Sequence, residues 1–253
     1  MNILIVKLSA IGDVIHTLPS VAALRELYPE AHITWVVEEA ASGLVLGNPL
    51  LDEVIVFRRK SWIKLLKGGQ IGEVLKEARG FIGRLRSRRY ELVIDFHGLF
   101  KSAAIVFLSR SKRKLGYDSW QELTRLFYNE RIPEDMNKHA VDRYLDFLRH
   151  LGAETGDPRF YIPVGEENKR KVDSLLELKG IAGGERFVAV NPVAFWDTKL
   201  WEEKKFAMLC DRLIGDLNLK TVLTGRSAGG TLQRIEKFMT RPIANLGGLT
   251  TLR

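Results

Sequence analysis

The chain has 253 residues, 45% of them hydrophobic and 28% charged, with 22 glycines, 8 prolines and one cysteine. That composition excludes a wholly disordered, collagen-like or disulfide-framed chain, and the lone Cys210 excludes a zinc site of several thiolates. The 39 basic residues outnumber the 31 acidic ones, for a net charge of +8, which attracts polyanions: nucleic acid, anionic lipid or phosphorylated substrates.

In chain order, Asn2-Ile3-Leu4-Ile5-Val6-Lys7 reads as a buried strand, followed by a loop at 9–13 and a helix over 16–27 that Tyr28-Pro29 ends. Residues 31–37 and 54–57 read as further strands, and apolar spacing at Ile71, Val74, Leu75, Ala78, Ile82 and Leu85 predicts a helix over 71–88. A strand at 91–95 and helices at 101–108 and 139–151 follow. Gly156-Asp157-Pro158 and Pro163 mark a linker. The pattern then restarts, with helices at 168–178, 201–217 and 231–239 and strands at 187–192, 221–225 and 243–246. This order predicts an α/β protein of two parallel-sheet domains, 1–163 and 164–253. No apolar run approaches the roughly 18 residues of a membrane span, and the N-terminus lacks the basic region of a signal peptide, so a cytoplasmic location is expected.

In open parallel sheets ligands bind beyond the C-terminal strand ends, and four such segments carry polar or glycine-bearing loops. In Lys7-Leu8-Ser9-Ala10-Ile11-Gly12-Asp13, Asp13 either caps the following helix or serves as a general base. In Asp95-Phe96-His97-Gly98-Leu99-Phe100-Lys101, an acid, a histidine and a lysine cluster at a strand end, as site groups or as a capping acid and a satisfied histidine. In Asn191 to Trp201, Lys199 lies just before a helix whose N–H groups can receive an anion. The fourth is the glycine-rich Thr224-Gly225-Arg226-Ser227-Ala228-Gly229-Gly230. Positive charge concentrates between Arg58 and Arg89, where 11 basic residues face only Glu73 and Glu77. Beside them, Trp62, Ile63, Leu65 and Leu66 either touch lipid or pack in the core.

Ile5-Val6-Lys7 with Ile11-Gly12-Asp13-Val14-Ile15-His16-Thr17-Leu18-Pro19, Trp35-Val36-Val37-Glu38-Glu39, the segment from Val93 to Ala104, Leu126-Phe127-Tyr128-Asn129, His139-Ala140-Val141-Asp142-Arg143, Lys199-Leu200-Trp201 and Leu223-Thr224-Gly225 together resemble the heptosyltransferases of lipopolysaccharide core synthesis, glycosyltransferase family 9. The resemblance implies a GT-B fold, two Rossmann-like domains facing across a cleft, the C-terminal one incomplete. It implies inverting transfer of L-glycero-D-manno-heptose from ADP-heptose to the Kdo of Kdo2-lipid A, with no metal or other cofactor. By the resemblance Asp13 is the catalytic base. Lys199, Ala194, Phe195 and Thr250 meet the ADP-sugar, and Arg58, Arg59, Lys60, His97 and Lys101 meet the acceptor. The expected location is the cytoplasmic face of the inner membrane, held peripherally by its anionic surface, with no nucleic-acid partner.

Some positions depart from the family pattern. His97 stands where the family commonly has Gln, and the loop around Gly229 and Gly230 lacks the usual acidic residue. The chain ends before the family's donor-gripping Asp-Thr-Gly…His segment, which predicts weak donor binding. The competing reading is a non-catalytic basic protein that binds nucleic acid or an anionic membrane. An oxidoreductase reading is disfavoured because no GxGxxG follows any strand.

Overall fold

A computed structural model describes residues 1–194, 196–226 and 229–252. The chain divides into two compact units, Met1–Pro163 and Val164–Arg253.

The first unit is built on a six-stranded parallel sheet. Its strands are β1 (Asn2–Val6), β2 (His32–Glu38), β3 (Glu53–Phe57), β4 (Leu92–Asp95), β5 (Arg113–Tyr117) and β6 (Glu130–Ile132), in the order β3-β2-β1-β4-β5-β6. The central strands are apolar at successive positions because both faces are covered. Ile3 and Ile5 face one layer with Val14, Leu18 and Phe147. Leu4 and Val6 face the other with Phe81, Leu85 and Val106. The first layer comes from α1 (Ile11–Leu27) and α6 (Ala140–His150), the second from α4 (Ile71–Leu85) and α5 (Phe100–Leu108). Register pairs Ile5 with Trp35 on one side and Ile94 on the other. Strand order reverses between β1 and β4, so the chain leaves these two neighbours in opposite directions and opens a crevice at their C-terminal ends.

Several elements depart from the sequence reading. The helix expected from residue 16 begins at Ile11, so Gly12 and Asp13 lie in its first turn rather than in a loop. A short α2 (Glu39–Ser42) follows β2, and α3 (Arg59–Lys67) follows β3. Strands β5 and β6, RKLGY and ERI, carry too few apolar residues to announce themselves.

The second unit holds a three-stranded parallel sheet, β7 (Phe187–Val190), β8 (Lys220–Leu223) and β9 (Ala244–Asn245), in that order. Helices α8 (Glu203–Gly215) and α9 (Thr231–Phe238) pack Ala207, Cys210, Leu232 and Ile235 on Val190 and Leu223. Helix α7 (Glu166–Leu178) brings Leu175 and Leu176 to the opposite face, against Val222 and Ala244. Among the described residues no helix is long and apolar enough to cross a membrane.

Candidate active site

The strand ends of the first unit gather a network of charges. Asp13 sits at the third position of α1, and its Oδ2 accepts from the Ala10 backbone N–H at 3.1 Å. Asp13 therefore does secure the helix start. Its Oδ1 makes no hydrogen bond among the described residues, and the side chain stays partly exposed. Capping with one oxygen leaves the other for a ligand.

Lys7, at the end of β1, is almost wholly buried. Its Nζ donates to the Phe96 carbonyl at 3.0 Å and to Tyr144 Oη at 2.6 Å. Burial pushes its pKa down to about 8, opposed by the negative charges of Asp13 and Asp95. At neutral pH Lys7 keeps its proton and places a cation within electrostatic reach of Asp13. Burial, with the negative charge of Asp13 as the next contribution, raises the Tyr144 phenol, which stays protonated.

Asp95 ends β4 and is fully buried. It accepts from Tyr128 Oη at 2.7 Å and from the backbone N–H groups of His97 and Gly98 at 2.8 and 3.2 Å. Burial raises its pKa against those bonds. Asp95 thus folds the turn instead of facing a substrate. Gly98 completes it at φ +69, a left-handed conformation that favours glycine.

His97 is held neutral. Burial lowers its pKa to about 3, and the cations of Lys7 and Lys101 push the same way, against the Ser9 backbone. Neither ring nitrogen forms a well-aligned hydrogen bond. The ring therefore offers a neutral acceptor or donor and no positive charge.

Glu38 is the residue that sequence reasoning missed. It ends β2, is buried, and its Oε1 accepts from Lys101 Nζ at 2.9 Å and Arg59 Nε at 3.3 Å. Lys101 also donates to Ser9 Oγ at 3.1 Å. Two cations expected to face an anionic acceptor are thus first tied to a carboxylate. Lys60 lines a cleft of about 150 Å³ with Glu38, Glu39, Ala40 and Phe57. Arg58 borders a separate one of about 180 Å³ with Trp62, Glu77, Phe81 and Arg84. The sequence signals for Glu38 are an acid closing an apolar strand run and its place in the Trp35–Glu39 segment that carries the family resemblance.

In the second unit the strand ends carry backbone rather than charge. Asn191 Oδ1 accepts from Val193 N–H at 3.3 Å, and Gly248 N–H donates to the Gly225 carbonyl at 3.0 Å. A Cβ on Gly225 would lie 2.6 Å from Val193 Cγ2 and 2.9 Å from Asn191 Oδ1, and its φ of +117 also demands glycine. Lys199 closes a short 3₁₀ turn, Asp197–Lys199, and is exposed. The helix expected directly after it starts only at Glu203, so Lys199 stands apart from those helical N–H groups. Ala194 is exposed and Thr250 partly so. Phe195, Ser227 and Ala228 lie outside the described residues.

Tandem Rossmann-like units with polar groups collected at parallel strand ends define an α/β protein of the GT-B kind. Residues 78–253 match the model for glycosyltransferase family 9 (heptosyltransferase). The chain belongs to that family. It is 35% identical over 157 residues to lipopolysaccharide heptosyltransferase 1 of Escherichia coli K12, covering 60% of this chain and 48% of the relative. It is 32% identical over 221 residues to lipopolysaccharide heptosyltransferase 1 of Pseudomonas aeruginosa, covering 84% and 58%. The chain thus spans about half the length of these curated relatives. Its fold matches E. coli heptosyltransferase WaaC with ADP at a TM-score of 0.80 and 25% identity, covering 100% of this chain and 76% of that one. It also matches a family 9 glycosyltransferase from Veillonella parvula at 0.84 and 24% identity, covering 99% and 71%. The comparisons give the non-catalytic alternative no support.

Proposed function

We propose that the protein transfers L-glycero-D-manno-heptose from ADP-heptose to the Kdo of Kdo2-lipid A, inverting the anomeric centre, at the cytoplasmic face of the inner membrane. The observation that carries this reading is Asp13 at the crevice between β1 and β4, one oxygen fixed by Ala10 N–H and the buried Lys7 cation nearby. Related proteins bound to ADP and to ADP-2-deoxy-2-fluoro heptose support the choice of donor. The names of the relatives support the choice of pathway.

In this reading Asp13 takes the proton of the acceptor hydroxyl as its oxygen attacks the anomeric carbon. The new glycosidic C–O bond forms while the bond to the β-phosphate oxygen breaks, and the electron pair leaves on ADP. Lys199 meets the charge that grows there, with Ala194 and Thr250 lining the donor. The buried Lys7 cation faces the negative charge of Asp13. Arg58, Arg59, Lys60 and Lys101 attract the phosphates and carboxylates of the acceptor, and neutral His97 supplies a polar contact without charge. Separation of Arg59 or Lys101 from Glu38 accompanies acceptor binding.

The test is mass-spectrometric detection of heptose added to Kdo2-lipid A by the purified protein, beside its Asp13→Ala variant. Transfer by the first and not the second is expected. Product formed equally by both removes Asp13 as base. ADP-heptose left intact by a folded, ADP-binding protein overturns the assigned reaction.

A further inference from the structure

Glu38 stands where three strand ends meet. Strand β2 lies between β1 and β3, and its last residue, Glu38, pairs in register with Phe57, the last of β3. Arg59 follows Phe57 by two residues and so falls beside Glu38, whose backbone N–H donates to the Leu8 carbonyl just after β1. Lys101 reaches the same carboxylate from the first turn of α5. Glu38 Oε1 takes both cations, Lys101 Nζ at 2.9 Å and Arg59 Nε at 3.3 Å.

The two cations keep donors in reserve. The Glu38 side chain is 7% exposed, that of Lys101 25% and that of Arg59 40%. Among the described residues only Nε of the Arg59 guanidinium is engaged, and Lys101 Nζ is held by Glu38 and Ser9 alone. The cleft of about 150 Å³ that Glu38 and Lys60 line opens beside them. It has room for several waters at their liquid volume of about 30 Å³ each, and so for a phosphoryl group.

A buried carboxylate between two cations changes what those cations attract. Alone, Arg59 and Lys101 would present two positive charges to an entering anion; with Glu38 they present one in net. An entering anion draws Arg59 or Lys101 outward and takes a partner from a carboxylate that water hardly reaches, which is costly. A carboxylate brings one negative charge, no more than the charge it competes with, so the exchange gains little. A phosphate monoester brings about two, and its oxygens can bond Arg59 and Lys101 together.

We propose that Glu38 is a specificity-determining residue: as a built-in competitor for Arg59 and Lys101, it makes the site select acceptors that carry a phosphate monoester over acceptors whose only anions are carboxylates. Selectivity of this kind comes from a cost imposed on the wrong ligand. It rests on the proposed function only for the acceptor's being an anionic glycolipid.

Two acceptors test the selection, Kdo2-lipid A and the same lipid after phosphatase treatment, both dispersed in neutral detergent. Equilibrium binding to the whole protein is measured without donor, then transfer kinetics with ADP-heptose. The unaltered protein should bind the phosphorylated acceptor about tenfold more tightly, as for one charge-assisted contact. Glu38→Gln keeps the shape and removes the charge. In it the dephosphorylated acceptor should gain about tenfold in affinity and the phosphorylated one about threefold, so the preference falls to about threefold. Glu38→Asp keeps the charge and should keep the preference. Arg59→Gln alters a partly exposed side chain and decides the matter if Glu38→Gln fails to fold. It should weaken the phosphorylated acceptor about tenfold and the other about threefold. KM for each acceptor should follow these affinities, with ADP binding unchanged. A preference that survives Glu38→Gln and Arg59→Gln, or affinity lost equally for both acceptors, overturns the proposal, because Glu38 then only holds the cations in place. So does the absence of any preference in the unaltered protein, or binding of neither acceptor. The expected binding preferences without transfer to either acceptor would reject the proposed reaction and leave the selection by Glu38 standing.

Discussion

At the strand ends of the first unit, Lys7, Glu38 and Lys101 are tied to Tyr144, Arg59 and Ser9 across two strands and three helices. At those of the second unit, Lys199 is exposed and no ion pair holds it among the described residues. What is fixed there is backbone, packed around Gly225. The contrast follows from depth. A six-stranded sheet covered on both faces places its strand ends in low dielectric, where an unpaired charge is costly and must find a partner. A three-stranded sheet leaves its strand ends near water, where a lysine needs none. The first region is thus organised by its own charged side chains, and the second by backbone packing around Gly225.

Four changes sharpen that contrast, in falling order of effect. Asp13→Ala should lower transfer by about 10³-fold, in the range of a lost general base. The lost contact with Ala10 should cost only about 1 kcal/mol in denaturant unfolding. A collapse of stability equal to the loss of rate would make Asp13 a cap alone. Glu38→Gln should destabilise the protein by about 2 kcal/mol, a buried-pair value reduced for the partly exposed Arg59. An unchanged unfolding midpoint would show that the network is ornamental. Lys199→Ala should leave unfolding unmoved and weaken ADP binding about tenfold, as for one lost charge-assisted contact. Calorimetric titration with ADP reads this directly.

The smallest effect is a slope. His97 is pushed down to about 3 in the folded protein, while an unfolded histidine takes up its proton near pH 6.5. The unfolded chain therefore binds more protons between these values. The stability from the neutral ring is full above about pH 6.5 and is lost as pH falls toward 3, by at most about 1.4 kcal/mol per pH unit. Thermal unfolding between pH 7 and 4.5 should flatten in His97→Gln. Parallel curves for the two proteins would place His97 in water.

The difference between the units also decides what could be read from residues alone. The central strands were legible because burial on both faces turns them into unbroken apolar runs. Strands β5 and β6 were not, since each lies toward the sheet edge and carries arginine or glutamate. Helix α3 escaped because it buries no residue and is rich in lysine. Helix α1 starts five residues before the position its sequence suggests because Ala10 offers no capping side chain, and Asp13 reaches back to its N–H instead. Asp13, His97 and Lys101 could be singled out because strand-end loops collect polar groups. Their standing could not. Lys101 meets Glu38 from 63 residues away and Lys7 meets Tyr144 from 137.

By itself, then, the sequence determined the alternation of strand and helix, the two-unit division of the chain's pattern, the family resemblance and the basic stretch after β3. Those properties are local or compositional: period, glycine and proline punctuation, short motifs and charge. Only the tertiary structure decided which of those charges stand free, which oxygen of Asp13 is spent, why His97 is neutral and which cations Glu38 engages. Each depends on burial and on partners distant in sequence, and no local pattern encodes the dielectric around a side chain.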